Sequence, residues 1–315
     1  MNKKSKVIIG SRGSKLALWQ ANYIKRELER KNQNIEVDIK IINTKGDKIL
    51  DVALSKIGDK SLFTKELEIQ LLKRKIDLAV HSLKDLQTEI PKGLKLAAVT
   101  KRYHVEDVLI AGKKGITIND LKERAVVATG SLRRTCQLLH IRPDIKIVDL
   151  RGNVPTRIDK FLESGWDAII LARAGVERLN LKKYISSNIS TEIMLPAVGQ
   201  GALGLEIHKE NSFVEELLHS IHHENTYKAV LAERSLLKTL EGGCKVPIGA
   251  LAQVKANGLY LDAMVGSLDG MITFRKNLRG SKKNPELLGK SLAKDLLKAG
   301  AKSVLKEIYN SSRTI

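Results

Sequence analysis

AVVATGSLRRTCQLL, residues 125–139, decides how the chain folds. Ala125 to Ala128 is a short apolar run with β-branched residues, which predicts a buried strand. Thr129, Gly130 and Ser131 then form a polar turn, and from Ser131 the apolar residues recur at helical spacing through Leu138 and Leu139. A buried strand that runs through a polar loop straight into a helix is the unit of an α/β sheet, whose ligands bind at the strand-to-helix loops.

The same order repeats on both sides. Upstream, Val7 to Ile9 reads as a strand, Ala17 to Leu28 as a helix, and Ile35 to Ile41 as an alternating strand. Thr64 is placed to cap a helix carrying Leu67 and Leu71, and Ile76 to Val80 and Leu94 to Val99 read as further strands. Downstream come strands at Lys146 to Leu150 and Ala168 to Ala172, around a helix from Val154 to Leu162. Two such halves predict two α/β domains with largely parallel sheets. After about residue 222 the pattern changes to a helix (Ala229 to Leu240), weak strands at 251–254, 259–265 and 271–278, and a lysine-rich helix from Pro285 to Ala299. This predicts a smaller α+β domain.

The composition narrows the partners. The net charge of +20, from 55 basic and 35 acidic residues, raises nucleic acid as a partner. Aromatic residues make up only 4%, leaving few stacking platforms, and no nucleic-acid-binding motif is visible. An anionic small molecule fits better, because arginines gather in strand-end loops. With two cysteines there is no disulfide framework. The apolar run in MNKKSKVIIGSRG is too short for a signal peptide and no stretch reaches membrane-spanning length, so a soluble cytoplasmic protein is expected.

The loops carry the chemistry. GSRGS (10–14) sets Arg12 and Ser14 at a helix start, where backbone N–H groups and a guanidinium suit a carboxylate or phosphate. ATGSLRR (128–134) offers Thr129, Ser131, Arg133 and Arg134. Adjacent helical arginines point about 100° apart, so both can face one anion only near the helix start. LRGNVPTR (150–157) adds Arg151 and Arg157, and ARAGVERL (172–179) adds Arg173 and Arg178. In DLAVHSLKDL (77–86) an apolar strand ends in His81, Ser82, Lys84 and Asp85, and a carboxylate there can exchange a proton or stabilise a developing cation. Lys56 and Lys60 flank Gly58 in a long loop that could cover a cleft. In EGGCKVPIG (241–249) the glycines and Pro247 shape a loop that presents Cys244, although a lone cysteine is ordinarily a small buried hydrophobe.

Taken in order, SRGSKLALWQ, KGD (45–47), LFTKELE, DLAVHSLKDL, TGSLRRTCQL, RGNVPTR, LPAVGQGALGLE and EGGCKVPIGA resemble the porphobilinogen deaminase (hydroxymethylbilane synthase) family, from about residue 7 to about 254. The resemblance implies an enzyme that joins four porphobilinogen molecules head to tail with release of ammonia, then hydrolyses the product to hydroxymethylbilane. It implies a dipyrromethane cofactor held as a thioether by Cys244, with Cys136 structural. It implies Asp85 as the catalytic carboxylate, assisting ammonia loss and stabilising an azafulvene-like cation. Lys84, Asp85, Thr129, Ser131, Arg133 and Arg134 would contact the cofactor. Arg12, Ser14, Arg151, Arg157 and Arg178 would bind the substrate's carboxylates, with Gln20, Lys56 and Lys60 as further candidates. No metal is expected, and the family suggests a monomer. The implied layout is domain 1 over 1–101 and 201–220, domain 2 over 102–200 and a third domain over 221–315, with the first two shaped like a periplasmic binding protein. Two departures stand out. RYHVED (102–107) lacks the proline and arginine of the family's usual Pro-Arg-Asp run, and Gly130 replaces a hydroxyl residue. The rival reading is a two-lobed binding protein for an anionic small molecule, which would need neither Cys244 nor Asp85.

Overall fold

The computed structural model describes residues 4–44, 64–242 and 246–311. Lys56, Lys60 and Cys244 lie outside the described residues. The chain begins with β1 (Ser5–Ser11), α1 (Lys15–Lys31), β2 (Ile35–Ile41), α2 (Lys65–Leu72), β3 (Leu78–Ser82) and β4 (Leu94–Val99). It continues through β5 (Asp107–Ala111), β6 (Val126–Ala128), α3 (Leu132–Ile141), β7 (Lys146–Val148), α4 (Val154–Glu163), β8 (Ala168–Ala172), α5 (Arg173–Arg178) and β9 (Ser187–Ile189). Next come β10 (Leu203–His208), α6 (Ser212–His219) and α7 (Glu224–Thr239). The last elements are β11 (Ile248–Lys255), β12 (Gly258–Gly266), β13 (Thr273–Gly280), α8 (Pro285–Leu296) and α9 (Lys302–Ser311). Of the described residues, 4–44, 64–103 and 201–227 form one compact unit, and 104–200, 228–242 and 246–311 form the other.

The first unit holds a five-stranded sheet in the order β2-β1-β3-β10-β4. The second holds a five-stranded sheet in the order β7-β6-β8-β5-β9, together with the antiparallel sheet β11-β12-β13. The two larger sheets share one plan. Three neighbouring strands are parallel, and the fourth in order (β10 or β5) runs against both its neighbours. The sequence predicted largely parallel sheets, and the reversed strand in each is the difference. Each reversed strand is the first strand laid down after the chain enters that unit, so it starts at the edge where the parallel strands end: Leu203 pairs with Ser82, and Asp107 with Ala172.

A shared local device sets the register in both halves. Asp77, just before β3, accepts from the Ile8 amide through Oδ2 at 2.8 Å and donates its own amide to the Ile8 carbonyl at 2.8 Å. Asp167, just before β8, does the same to Val126, again at 2.8 Å in both directions.

Central strands here are buried on both faces, which is why they read as nearly continuous apolar runs. Val7, Ile9, Leu78, Val80, Leu203, Leu205 and Ile207 pack under Ala21, Ile24 and Leu28 of α1. On the opposite face Ala79 meets Leu67 and Leu71 of α2. Each fully buried Val, Leu or Ile side chain among these contributes about 1.5–3 kcal/mol. The lysine-rich helix predicted to reach Ala299 ends at Leu296, and the chain turns at Gly300 (φ 119°) before α9. A positive φ of this kind suits glycine, and the closest atoms to a Cβ built there belong to the Phe274 ring, at 2.8 Å.

Candidate functional site

In the first unit, β1 and β3 are parallel neighbours, so the loops that follow them share one sheet edge. Ser14 is the N-cap of α1, its Oγ accepting from the Ala17 amide at 3.3 Å, and Arg12 stands half-buried two residues before it. Gln20 is buried on α1, and its Nε2 donates to Ser82 Oγ at 2.7 Å. Its place is therefore beneath the end of β3. Beyond Ser82 the chain makes a single 3-10 turn, Leu83–Asp85, in which Leu83 is buried while Lys84 and Asp85 are exposed. The edge thus presents a carboxylate and an ammonium on a turn fixed from below.

In the second unit, β6, β7 and β8 are parallel, and their ends carry Thr129 to Arg134, Arg151 to Arg157, and Arg173 to Arg178. Thr129 is buried and its Oγ1 accepts from the Ser131 amide at 3.3 Å. Ser131 occupies the N-cap position of α3 without using its hydroxyl to cap it. A Cβ at Gly130 would stand 2.8 Å from both Asp149 Oδ1 and the Leu150 carbonyl oxygen. The departure at this position therefore matches a close approach of the 149–151 loop. Arg151 is half-buried, Arg157 turns its Nε back onto the Gly152 carbonyl at 2.7 Å, and Arg178 lies half-buried in the last turn of α5. Arg173, to which no role was assigned, bonds Glu177 at 2.8 Å.

Arg133 and Arg134 are both buried, and both meet Asp107. Arg133 Nη2 donates to Asp107 Oδ2 and Arg134 Nη2 to Oδ1, each at 2.8 Å. Their Nη1 groups donate to the Leu195 and Ile170 carbonyls, at 2.7 and 2.8 Å. Gln200 Nε2 adds a third bond to the carboxylate, at 2.9 Å, and also donates to the Val105 carbonyl at 2.7 Å. Two adjacent arginines converge because they occupy the first turn of α3, and because the reversed β5 delivers Asp107 to that edge. Burial alone would push the Asp107 pKa up, but the two guanidiniums and the Gln200 donor hold it well below the usual carboxylate range. Burial also lowers the Arg133 pKa, opposed by Asp107, and the guanidinium stays charged.

Asp107 and Gln200 were not singled out from the sequence. Asp107 is the retained acid of the altered RYHVED run, where an acidic residue opens an apolar strand. That placement was the available signal for a buried counter-ion. Cys136 is fully buried beside Leu195, Leu251 and Met264, and burial together with Asp269 raises its pKa to about 12.

Residues 7–216 match the family model described as "Porphobilinogen deaminase, dipyromethane cofactor binding domain", and residues 227–298 match "Porphobilinogen deaminase, C-terminal domain". The chain belongs to the porphobilinogen deaminase family. A porphobilinogen deaminase of Carboxydothermus hydrogenoformans is 50% identical over 305 residues, covering 97% of this chain and 98% of that one. Those of Chlorobium phaeobacteroides and Moorella thermoacetica are 48% and 49% identical over 311 and 304 residues, covering 97% and 96% of this chain and 98% and 97% of theirs. The periplasmic VFT2 domain of Bordetella pertussis BvgS aligns with 70% of this chain and 87% of that one at 12% identity, with a TM-score of 0.40, too distant to bear on function. Membership in the porphobilinogen deaminase family makes this chain a transferase of tetrapyrrole (haem) biosynthesis with hydroxymethylbilane synthase function.

The residues of the matched cofactor-binding domain fit an anionic pyrrole. The Nε–H groups of Arg133 and Arg134 are buried and meet no acceptor among the described residues, while the other nitrogens are committed. Two buried donors held in place suit carboxylates. Among the described residues no cluster of three or more acidic, His or Cys side chains is placed to hold a metal, and no helix is long and apolar enough to cross a membrane.

Proposed function

We propose that this chain joins four porphobilinogen molecules head to tail, releasing ammonia at each step, and hydrolyses the product to hydroxymethylbilane. The reading extends to a cytoplasmic monomer of three domains (1–101 with 201–220, 102–200 and 221–315) that binds no nucleic acid. Its cofactor is dipyrromethane, attached as a thioether to Cys244. The observation that carries the reading is the match to porphobilinogen deaminases over nearly the whole chain.

Arg133 and Arg134, with Thr129, Ser131 and Lys84, would hold the cofactor; when bound, it supplies an electron-rich pyrrole end to which substrate is joined. Asp107 keeps both guanidiniums charged and oriented. Arg12, Ser14, Arg151, Arg157 and Arg178 would take the acetate and propionate groups of porphobilinogen, with Gln20, Lys56 and Lys60 as further candidates for that role. Asp85, exposed on its turn, would stand beside the aminomethyl group. As the C–N bond breaks and ammonia leaves, its carboxylate stabilises the cation developing on the substrate. It then accepts the proton lost when the new C–C bond restores the pyrrole.

The test is the intact mass of denatured wild type beside Cys244→Ser. An excess of two pyrrole units in wild type alone is expected. Equal, unmodified masses that persist after incubation with porphobilinogen would overturn the attachment.

A further inference from the structure

His81, Glu206 and Glu68 form a buried group of ionisable side chains that the reaction above leaves unused. Glu206 is 0% exposed and His81 5%. His81 Nε2 donates to Glu206 Oε2 at 3.0 Å. Glu206 Oε1 has no hydrogen-bond partner among the described residues. Glu68 of α2 is buried too, and burial first, then the nearby Glu206, pushes its pKa up. These side chains lie on the sheet face that carries Ala79, Leu67, Leu71 and Leu94. Removing either member of such a buried pair is costly, whereas an apolar pair of equal volume serves stability as well or better. The pair therefore calls for an account other than stability.

The geometry supplies it. His81 pairs with Gly204 across the β3–β10 ladder, and Ser82 with Leu203. The Leu83 amide then makes a last bond to the Ala202 carbonyl at 3.1 Å, and the chain turns. Leu83 lies over Gly204, its Cδ1 only 2.7 Å from where a Cβ would stand. From the α1 side, Gln20 holds Ser82 at 2.7 Å. From the α2 side, His81 is tied diagonally to Glu206, whose own ladder partner is Ala79. The strand end is thus held from both faces just before a turn whose exposed residues are Lys84 and Asp85.

We propose that the His81–Glu206 hydrogen bond is a positioning element for the reaction: by locking β3 onto β10 it fixes the direction in which the 83–85 turn presents Asp85. The proposal rests on the catalytic reading of Asp85, so Asp85→Asn is assayed in parallel. Like the carboxyl group it fixes, the pair acts on turnover rather than on capture of substrate. A misplacement of about 1 Å at a reacting group costs up to about 100-fold in rate.

The experiment measures kcat and KM for porphobilinogen on cofactor-loaded enzyme, with rates normalised to the loaded fraction found by intact mass. Three variants are compared: His81→Asn, which withdraws the Nε2 donor; His81→Gln, which restores a donor at nearly the same reach; and Glu206→Met, which removes the acceptor and tests the pair from the β10 side should His81→Asn not load. His81→Asn and Glu206→Met are expected to lose about 10- to 100-fold in kcat with KM within about two-fold, and His81→Gln to recover to within about three-fold of wild type. A merely structural pair would lower melting temperature and loaded fraction but leave kcat per loaded molecule unchanged, and that result would overturn the proposal. Equal losses in His81→Gln and His81→Asn would also overturn it. Near-normal activity in Asp85→Asn would instead sink the catalytic reading itself, and the positioning role with it.

Discussion

Replacing Asp107 with asparagine tests the buried arginine pair directly. The carboxylate is fully buried, and Arg133 and Arg134 are each only 5% exposed. Its three hydrogen bonds span 2.8 to 2.9 Å, and two come from guanidinium nitrogens. Asparagine keeps one acceptor oxygen, but its amide turns two donors toward positive groups and removes the counter-charge. Breaking a buried ion pair by removing one partner costs about 3–5 kcal/mol, and here two cations lose the same partner. We expect a loss of about 4 kcal/mol, a large share of the roughly 5–15 kcal/mol that stabilises a folded domain. For a unit of this size that corresponds to a fall in Tm of about 10 °C. Urea unfolding in a Trp19→Phe background leaves Trp166, half-buried against a core cluster of the second unit, as the fluorescence reporter. Acid supplies a second readout. The folded pKa of Asp107 lies below the unfolded one, so its stabilisation is complete above the unfolded value and is lost as pH falls toward the folded value. The gap between wild type and Asp107→Asn should therefore narrow from about pH 4 to about pH 2. A loss below about 1 kcal/mol, or a gap that does not narrow in acid, would refute the claim that the two guanidiniums depend on this carboxylate.

Two further outcomes are expected. Asp85→Asn should lower ammonia release from the cofactor-loaded enzyme by about 100-fold or more, while its Tm stays within about 1 °C because the side chain is exposed; near-normal turnover would remove Asp85 from the chemistry. Cys136, with its pKa raised to about 12, should resist iodoacetamide at neutral pH in the native protein and react on denaturation, as a peptide map after each treatment would show. Labelling of Cys136 in the native protein would contradict its burial.

Much of this was legible in the sequence. β2 and β8 span the segments that alternation and apolar runs marked, because strands buried on one or both faces leave those patterns. β5 and β10 were harder to read. Their apolar runs allow a strand, yet nothing local states which sheet a strand joins or in which direction: β5 runs against β8 of its own stretch, and β10 returns after β5 to β9 to pair with β3. The arginine pair was visible as a basic turn, but Asp107 lies 26 residues away in sequence and reaches it only through strand reversal. Gln20 was read as a further candidate for binding substrate, although its spacing to Ile24 and Leu28 places it on the buried face of α1. His81 follows by the same parity: Ala79 and His81 alternate with Leu78 and Val80, so the imidazole had to point away from α1.

The place of β10 also bears on how the chain is made. It lies between β3 and β4, and Leu203, Leu205 and Ile207 belong to the core built on α1. A nascent chain that has emerged only as far as Tyr103 has β1 to β4 but lacks the strand between β3 and β4, so β3 shows an unpaired edge and β4 has no ladder partner. That sheet cannot close until residue 208 has left the ribosome, after the whole of β5 to β9. The second sheet draws all its strands from one continuous stretch and can pair first, which reverses the usual N-to-C order of domain folding. Until then the early strands are exposed to the edge-to-edge association that unpaired strands invite.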